Sequence, residues 1–254
     1  MNRRDRRLTI DYVLGKDSAR RNPFDTFDSI LETERNYNAR STFFALPTPS
    51  RANVEIVRRI HKSGWDVGLH GIRDSFALAS SLAEQKDVLE QALQGKVRGN
   101  RYHSLNLMIP RTFEFERLCG FEYDSSYFPP RYGQKRLLKP FHAIKGLLEI
   151  PLAFMDSDFS EIALPKFGGL EKAWERIQAV LEQYRVHEGV CTVLWHPHAF
   201  YDERNAYHRK HYQHVSGFAS LYERILEYAS QNGARLCGCD EIAKEWNATS
   251  DGYW

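Results

Sequence analysis

Asn53-Val54-Glu55-Ile56-Val57-Arg58-Arg59-Ile60-His61-Lys62-Ser63-Gly64-Trp65-Asp66-Val67-Gly68-Leu69-His70 holds the reading of the fold. Val54, Val57 and Ile60 recur at helical spacing, Gly64 follows, and the apolar run Trp65 to Leu69 ends at His70. The residue after a helix commonly takes the left-handed conformation, which costs glycine nothing. The stretch therefore reads as helix, turn and short buried strand. A titratable side chain stands at the strand's C-terminal tip.

The same unit recurs. Ser80 to Gln94 carry Leu82, Val88, Leu89 and Ala92, followed by Gly95 and a strand around Val97. Pro110 opens a helix ending at Leu118, then Gly120 and Phe121-Glu122-Tyr123 follow. Leu170 to His187 lead through Gly189 to Val190-Cys191-Thr192-Val193-Leu194-Trp195. Phe218 to Ser230 lead through Gly233 to Ala234-Arg235-Leu236. Two strands precede these units, Leu8-Thr9-Ile10 and Ser41 to Ala45, with Phe24, Phe27, Ile30 and Leu31 on one face of a helix between them. Another strand runs through Leu147 to Ile150. Strands alternating with helices predict an α/β fold of parallel strands. A distorted (β/α) barrel of about seven strands is the expectation, with a doubly wound open sheet as the alternative.

With 254 residues and no linker-like tract or repeat, residues 1–254 read as a single domain. Lys and Arg number 35 against 33 Asp and Glu, too balanced to suggest a nucleic-acid partner. The basic opening Met1 to Arg7 has no apolar stretch behind it, so it does not read as a signal peptide, and no segment approaches a membrane span. Cys119, Cys191, Cys237 and Cys239 do not form a disulfide framework in a chain this long. These features lead us to expect a cytoplasmic setting. Oligomeric state leaves no mark on the sequence.

Strand tips carry the candidate chemistry. Asp11 closes Leu8-Thr9-Ile10 and can be a general base, a metal ligand or a cap. His70 has Asp74 four residues on, so one helical turn would turn both toward one cation; the alternative makes Asp74 a helix cap. Arg101 and His103 follow the strand around Val97, and an Arg beside a catalytic carboxylate keeps it ionised, though a surface ion pair is the commoner fate. His196 and His198 form an HxH pair after a strand, readable as metal ligands or with His196 as an acid near neutral pH. His208, His211 and His214 read more simply as a solvated face.

Taken in order, these segments resemble the polysaccharide deacetylases, the NodB-type carbohydrate esterases of family four, in a divergent branch. Leu8 to Asp11 looks like the first motif, Ser41-Thr42-Phe43-Phe44 like the family's second strand, and Val67-Gly68-Leu69-His70 like its second motif. Gly99-Asn100-Arg101-Tyr102-His103-Ser104-Leu105 resembles a variant arginine motif. Gly120 to Ser126 and Leu148 to Leu152 resemble the same branch, and Val193 to His196 the last motif. The likeness spans nearly the whole chain and rests on the ordered set of motifs.

The resemblance implies removal of acetyl groups from N-acetylated sugars with a divalent metal, zinc by preference. Carried onto this chain, Asp11 is the base, Arg101 orients it, and His196 is the acid. His70, with Asp74 and His103 as possible partners, would hold the metal, and Tyr127, Tyr132 and Trp195 could stack on sugar rings. Two departures stand out. The family's second aspartate in the first motif is replaced by Tyr12 or Val13, and its second histidine of the pair falls at Asp74. They motivate a rival expectation, a deacetylase-like barrel that binds saccharide without cleaving it. A further rival is a metal hydrolase of another barrel family, with His196 and His198 as its ligands.

Overall fold

The computed structural model describes residues 26–129, 137–200, 210 and 213–249. In chain order the elements are α1 (Phe27–Asn36), β1 (Thr42–Ala45), α2 (Arg51–Lys62), β2 (Asp66–Gly71), α3 (Ala79–Leu93), β3 (Gly99–Tyr102), α4 (Arg111–Leu118) and β4 (Tyr123–Asp124). There follow β5 (Phe141–Ile144), β6 (Leu147–Glu149), β7 (Leu152–Met155), α5 (Gly169–Val186), β8 (Thr192–Leu194), α6 (Phe218–Gln231) and α7 (Cys239–Thr249). One sheet runs β1-β2-β3-β4-β6-β5, parallel except for β5 against β6, and β7 pairs in parallel with β8. The fold is α/β with a mostly parallel sheet, as the helix–strand alternation predicted. Among the described residues the two sheets share no strand pair, so no closed barrel is seen.

The register divides residues between two faces. Val67, Leu69 and Tyr102 point outward into a cluster with Ile60, Leu82, Leu89, Val97 and Phe113. Each fully buried aliphatic side chain of this kind contributes about 1.5–3 kcal/mol. The opposite face holds Gly68, paired with Phe44, and Gly99, paired with Tyr123. A Cβ on Gly68 would lie 2.8 Å from the Phe44 ring, and one on Gly99 would overlap the Tyr123 ring. The glycines thus leave room for two aromatic rings. His70 and Arg101 lie two residues on along the same face, where the strands end. Behind β7 and β8 a second core gathers Phe154, Ile177, Tyr184, Phe218 and Leu221. Buried Glu34 ties the elements together by accepting from the Trp65 indole, the Tyr222 hydroxyl and the Ser41 amide.

Several sequence expectations need correction. The strand around Val97 begins at Gly99. Ala234 to Leu236 form no strand; Leu236 accepts one backbone bond from Arg40, and α7 follows. Strands β5 and β7 were not anticipated. Gly64, Gly120 and Gly233 do adopt the left-handed turn after a helix, at φ 92°, 77° and 75°. At the other two helix ends Gln94 and Glu188 take it, one residue before the glycine. Leu8 to Asp11, Tyr132, His208 and His211 lie outside the described residues.

Candidate active site

Strands β2 and β3 bring His70 and Arg101 into register, both at C-terminal tips. The backbone oxygen of Arg101 accepts from His70 Nδ1 at 2.8 Å, since a carbonyl has no proton to give. That bond fixes the tautomer and leaves Nε2 as the lone-pair nitrogen. Burial, together with the positive charges of His103, Arg101 and His196, outweighs the Arg101 bond and lowers the His70 pKa to about 4. His70 is therefore neutral at pH 7. The influence of His196 places the end of β8 within electrostatic reach of β2. His103 meets His70 edge to face at 5.5 Å between ring centres, on a turn where Ser104 and Leu105 both have positive φ.

The neutral state of His70 carries a stability prediction. Between pH 6.5 and 4 an unfolded chain protonates this imidazole and the folded one does not, so stability falls as pH falls through that window. The full effect is about 3 kcal/mol. Urea midpoints taken in chelator should drop between pH 7 and pH 4.5 for wild type, and drop less for His70→Gln. Equal slopes would contradict the buried neutral imidazole.

Strands β7 and β8 supply the second half of the site. Their register pairs Met155 with Leu194, so the residues just beyond, Asp156 and Trp195-His196, leave the sheet side by side. The Asp156 carboxylate accepts His196 Nδ1 at 2.8 and 3.0 Å and the His196 amide at 2.8 Å. Burial opposes ionisation of Asp156, but the hydrogen bonds and charge of His196 outweigh it and hold the carboxyl below its ordinary range. His198 stacks on His196 at 5.1 Å with the ring planes 27° apart. Asp156, His196 and His198 offer ligand atoms within 4.8 Å of one another, the one such group of three among the described residues.

Arg101 is buried, next to His70 in the strand register. Its Nε donates to the Ser125 carbonyl at 2.8 Å, an Nη donates to Ser125 Oγ at 2.7 Å, and the guanidinium lies over the Phe44 ring at 4.3 Å. It makes no ion pair among the described residues. Ser125 is positioned in turn: its hydroxyl donates to Ile150 O, and Asp124 holds the next residue through the Ser126 amide and hydroxyl. Glu149 accepts the Tyr127 amide. Asp124, Glu149 and Glu116 are all fully buried, and burial beside one another raises both glutamates well above the ordinary carboxylate range. Through the Tyr127 amide, Glu149 braces the segment that clamps Arg101.

Of the residues singled out from sequence, His70 and Arg101 are next to last in β2 and β3, and His103 and His196 lie just past the ends of β3 and β8. Asp74 does not join His70 and His103: its Oδ1 accepts from Ser81 at 2.9 Å. The helical geometry assumed for it fails because β2 continues to Gly71 and Arg73 has φ 58°. Trp195 packs against Phe218 and Tyr222, and Tyr127 meets Phe141 edge to face at 6.2 Å. Two residues escaped the sequence reading, Asp156 and Ser125. Asp156 could have been found, because Leu152-Ala153-Phe154-Met155 is another apolar run with a carboxylate at its tip.

No family model and no curated protein matches the chain. Solved structures do. A Mycobacterium smegmatis protein assigned to the polysaccharide deacetylases superposes with a TM-score of 0.66 at 21% identity, over 89% of this chain and 78% of that one. Puue allantoinase gives 0.64 at 15% identity, over 97% and 78%. BA3943 of Bacillus anthracis, a family-four carbohydrate esterase pseudoenzyme, gives 0.55 at 12% identity, over 88% and 62%. The chain has the fold of the NodB-type deacetylases. No described helix is long and apolar enough to cross a membrane.

Proposed function

We propose that this chain hydrolyses the acetamide of N-acetylated sugars, releasing acetate and leaving the free amine. The observation that carries the reading is the Asp156–His196 pair at the ends of β7 and β8, within electrostatic reach of His70 and on the fold of deacetylases. A neutral amine leaves only if its nitrogen is protonated as the C–N bond breaks. His196, with Nδ1 held by Asp156, is positioned to give that proton from Nε2. Asp11 is the base that removes a proton from the attacking water, whose oxygen joins the acetyl carbon.

Thr26 Oγ1 donates to Pro197 O at 2.7 Å, so the chain enters α1 next to His196. Between β1 and β8 a cavity of about 580 Å³ reaches Arg101 and is lined by Thr42, Phe44 and Val193. The expected donors of a zinc-type ion, His70, Asp74 and His103, are not a three-donor set here, because Asp74 is committed to Ser81. In this reading protein groups alone carry the proton transfers. Four free thiols support the cytoplasmic setting.

The test is acetate release from N-acetylglucosamine oligomers by wild type and by His196→Ala. Release by wild type alone supports the reading, and its absence from wild type overturns it. The incomplete donor set favours a second reading, saccharide binding without cleavage. Calorimetric binding of the same oligomers with no acetate formed would establish that one instead.

A further inference from the structure

Asp156, His196 and His198 assemble what His70, Asp74 and His103 do not: three donors from three side chains around one point, with atoms within 4.8 Å. The Asp156 side chain is only 3% exposed, whereas that of His196 is 44% exposed, so the group has a fixed floor and an open mouth. Two imidazoles and a carboxylate suit zinc, nickel or copper rather than calcium or magnesium. Donors about 2.0–2.2 Å from a tetrahedral ion stand roughly 3.4 Å apart. The 2.8 Å contact between Asp156 and His196 need open by only about half an ångström to admit one.

We propose that Asp156, His196 and His198 form a binding site for a divalent transition-metal ion, which takes the place of the proton on His196 Nδ1. Binding forms metal bonds to the two imidazoles and the carboxylate and releases that proton to solvent. A four-coordinate ion held by these three side chains would have one position left for water. A consequence rests on the proposed function: a metal-bound imidazole cannot act as the acid, so excess zinc inhibits the reaction.

Zinc chloride titrated into the full chain by calorimetry, and Co²⁺ followed by its visible spectrum, test the site without reference to activity. Wild type and His70→Ala should both bind. His198→Ala and Asp156→Asn should bind more weakly by at least about tenfold, with circular dichroism confirming that each is folded. One equivalent of zinc should also remove the His196 Nδ1–H proton resonance. Binding lost in His70→Ala but retained in His198→Ala, or no zinc binding by wild type, overturns the proposal. Inhibition by excess zinc should be relieved in His198→Ala. If no variant releases acetate at any zinc level, the proposed function fails while the binding result still decides the site.

Discussion

Asp156→Asn lowers the rate of acetate release by about 10²–10⁴ and leaves the chain folded. The native carboxylate accepts hydrogen bonds from two groups of one residue, the amide and Nδ1 of His196. Asparagine has one acceptor and one donor. If its oxygen keeps the His196 amide, its NH₂ group faces Nδ1, which must then accept rather than donate. A neutral imidazole with its proton on Nε2 remains, and the imidazolium needed to protonate the leaving amine loses its counter-charge. The rate falls with little change in sugar binding, so kcat should carry the loss and KM should not. His196→Ala should cost a similar factor, and the double variant little more, because the two residues act as one unit. Near-wild-type rates in Asp156→Asn would remove the pair from the mechanism.

How much of this could be read from the chain follows from which signals are local. His70 and His196 are legible because each ends an apolar run, and Arg101 because it follows the segment around Val97; a strand tip is a place that sequence spacing defines. Helix ends are legible for the same reason, although the left-handed residue shifts to Gln94 and Glu188 at two of them. Asp156 hides behind Pro151 and inside Asp156-Ser157-Asp158, a string that looks like a turn. Asp74 misleads because an i, i+4 pair faces one way only on a helix, and β2 runs past the point where that helix would begin. The buried acids are the least legible. Glu116 sits in Arg111 to Leu118 among charged neighbours and reads as solvent-facing, and Asp124 and Glu149 become partners only when β4 pairs with β6. Their meaning comes from burial together, which is a property of the tertiary structure.

Gly99→Ala destabilises the fold by about 3 kcal/mol, the upper part of the range for inserting a methyl into a filled interior. The site of the clash is specific. Tyr123 is 1% exposed and its hydroxyl donates to Asp66 Oδ2 at 2.9 Å, so the ring is pinned at its far end as well as by its neighbours. Gly99 cannot retreat either, because β3 is hydrogen-bonded between β2 and β4. A methyl there must push either the ring off Asp66 or the strand out of register. Replacing Gly64 by Ala, at φ 92° with nothing within 4 Å, should cost only about 1 kcal/mol through the backbone. The two urea midpoints separate overlap from conformational strain. Tyr123→Leu supplies the decisive comparison: it is destabilising alone, but combined with Gly99→Ala it should cost less than the sum by about 1–2 kcal/mol, since the ring that clashes is gone. Strict additivity would mean that the ring is not what excludes the methyl. Because Arg101 lies two residues along the same face, the single Gly99→Ala variant should also loosen the clamp on Ser125 and reduce any acetate release that remains.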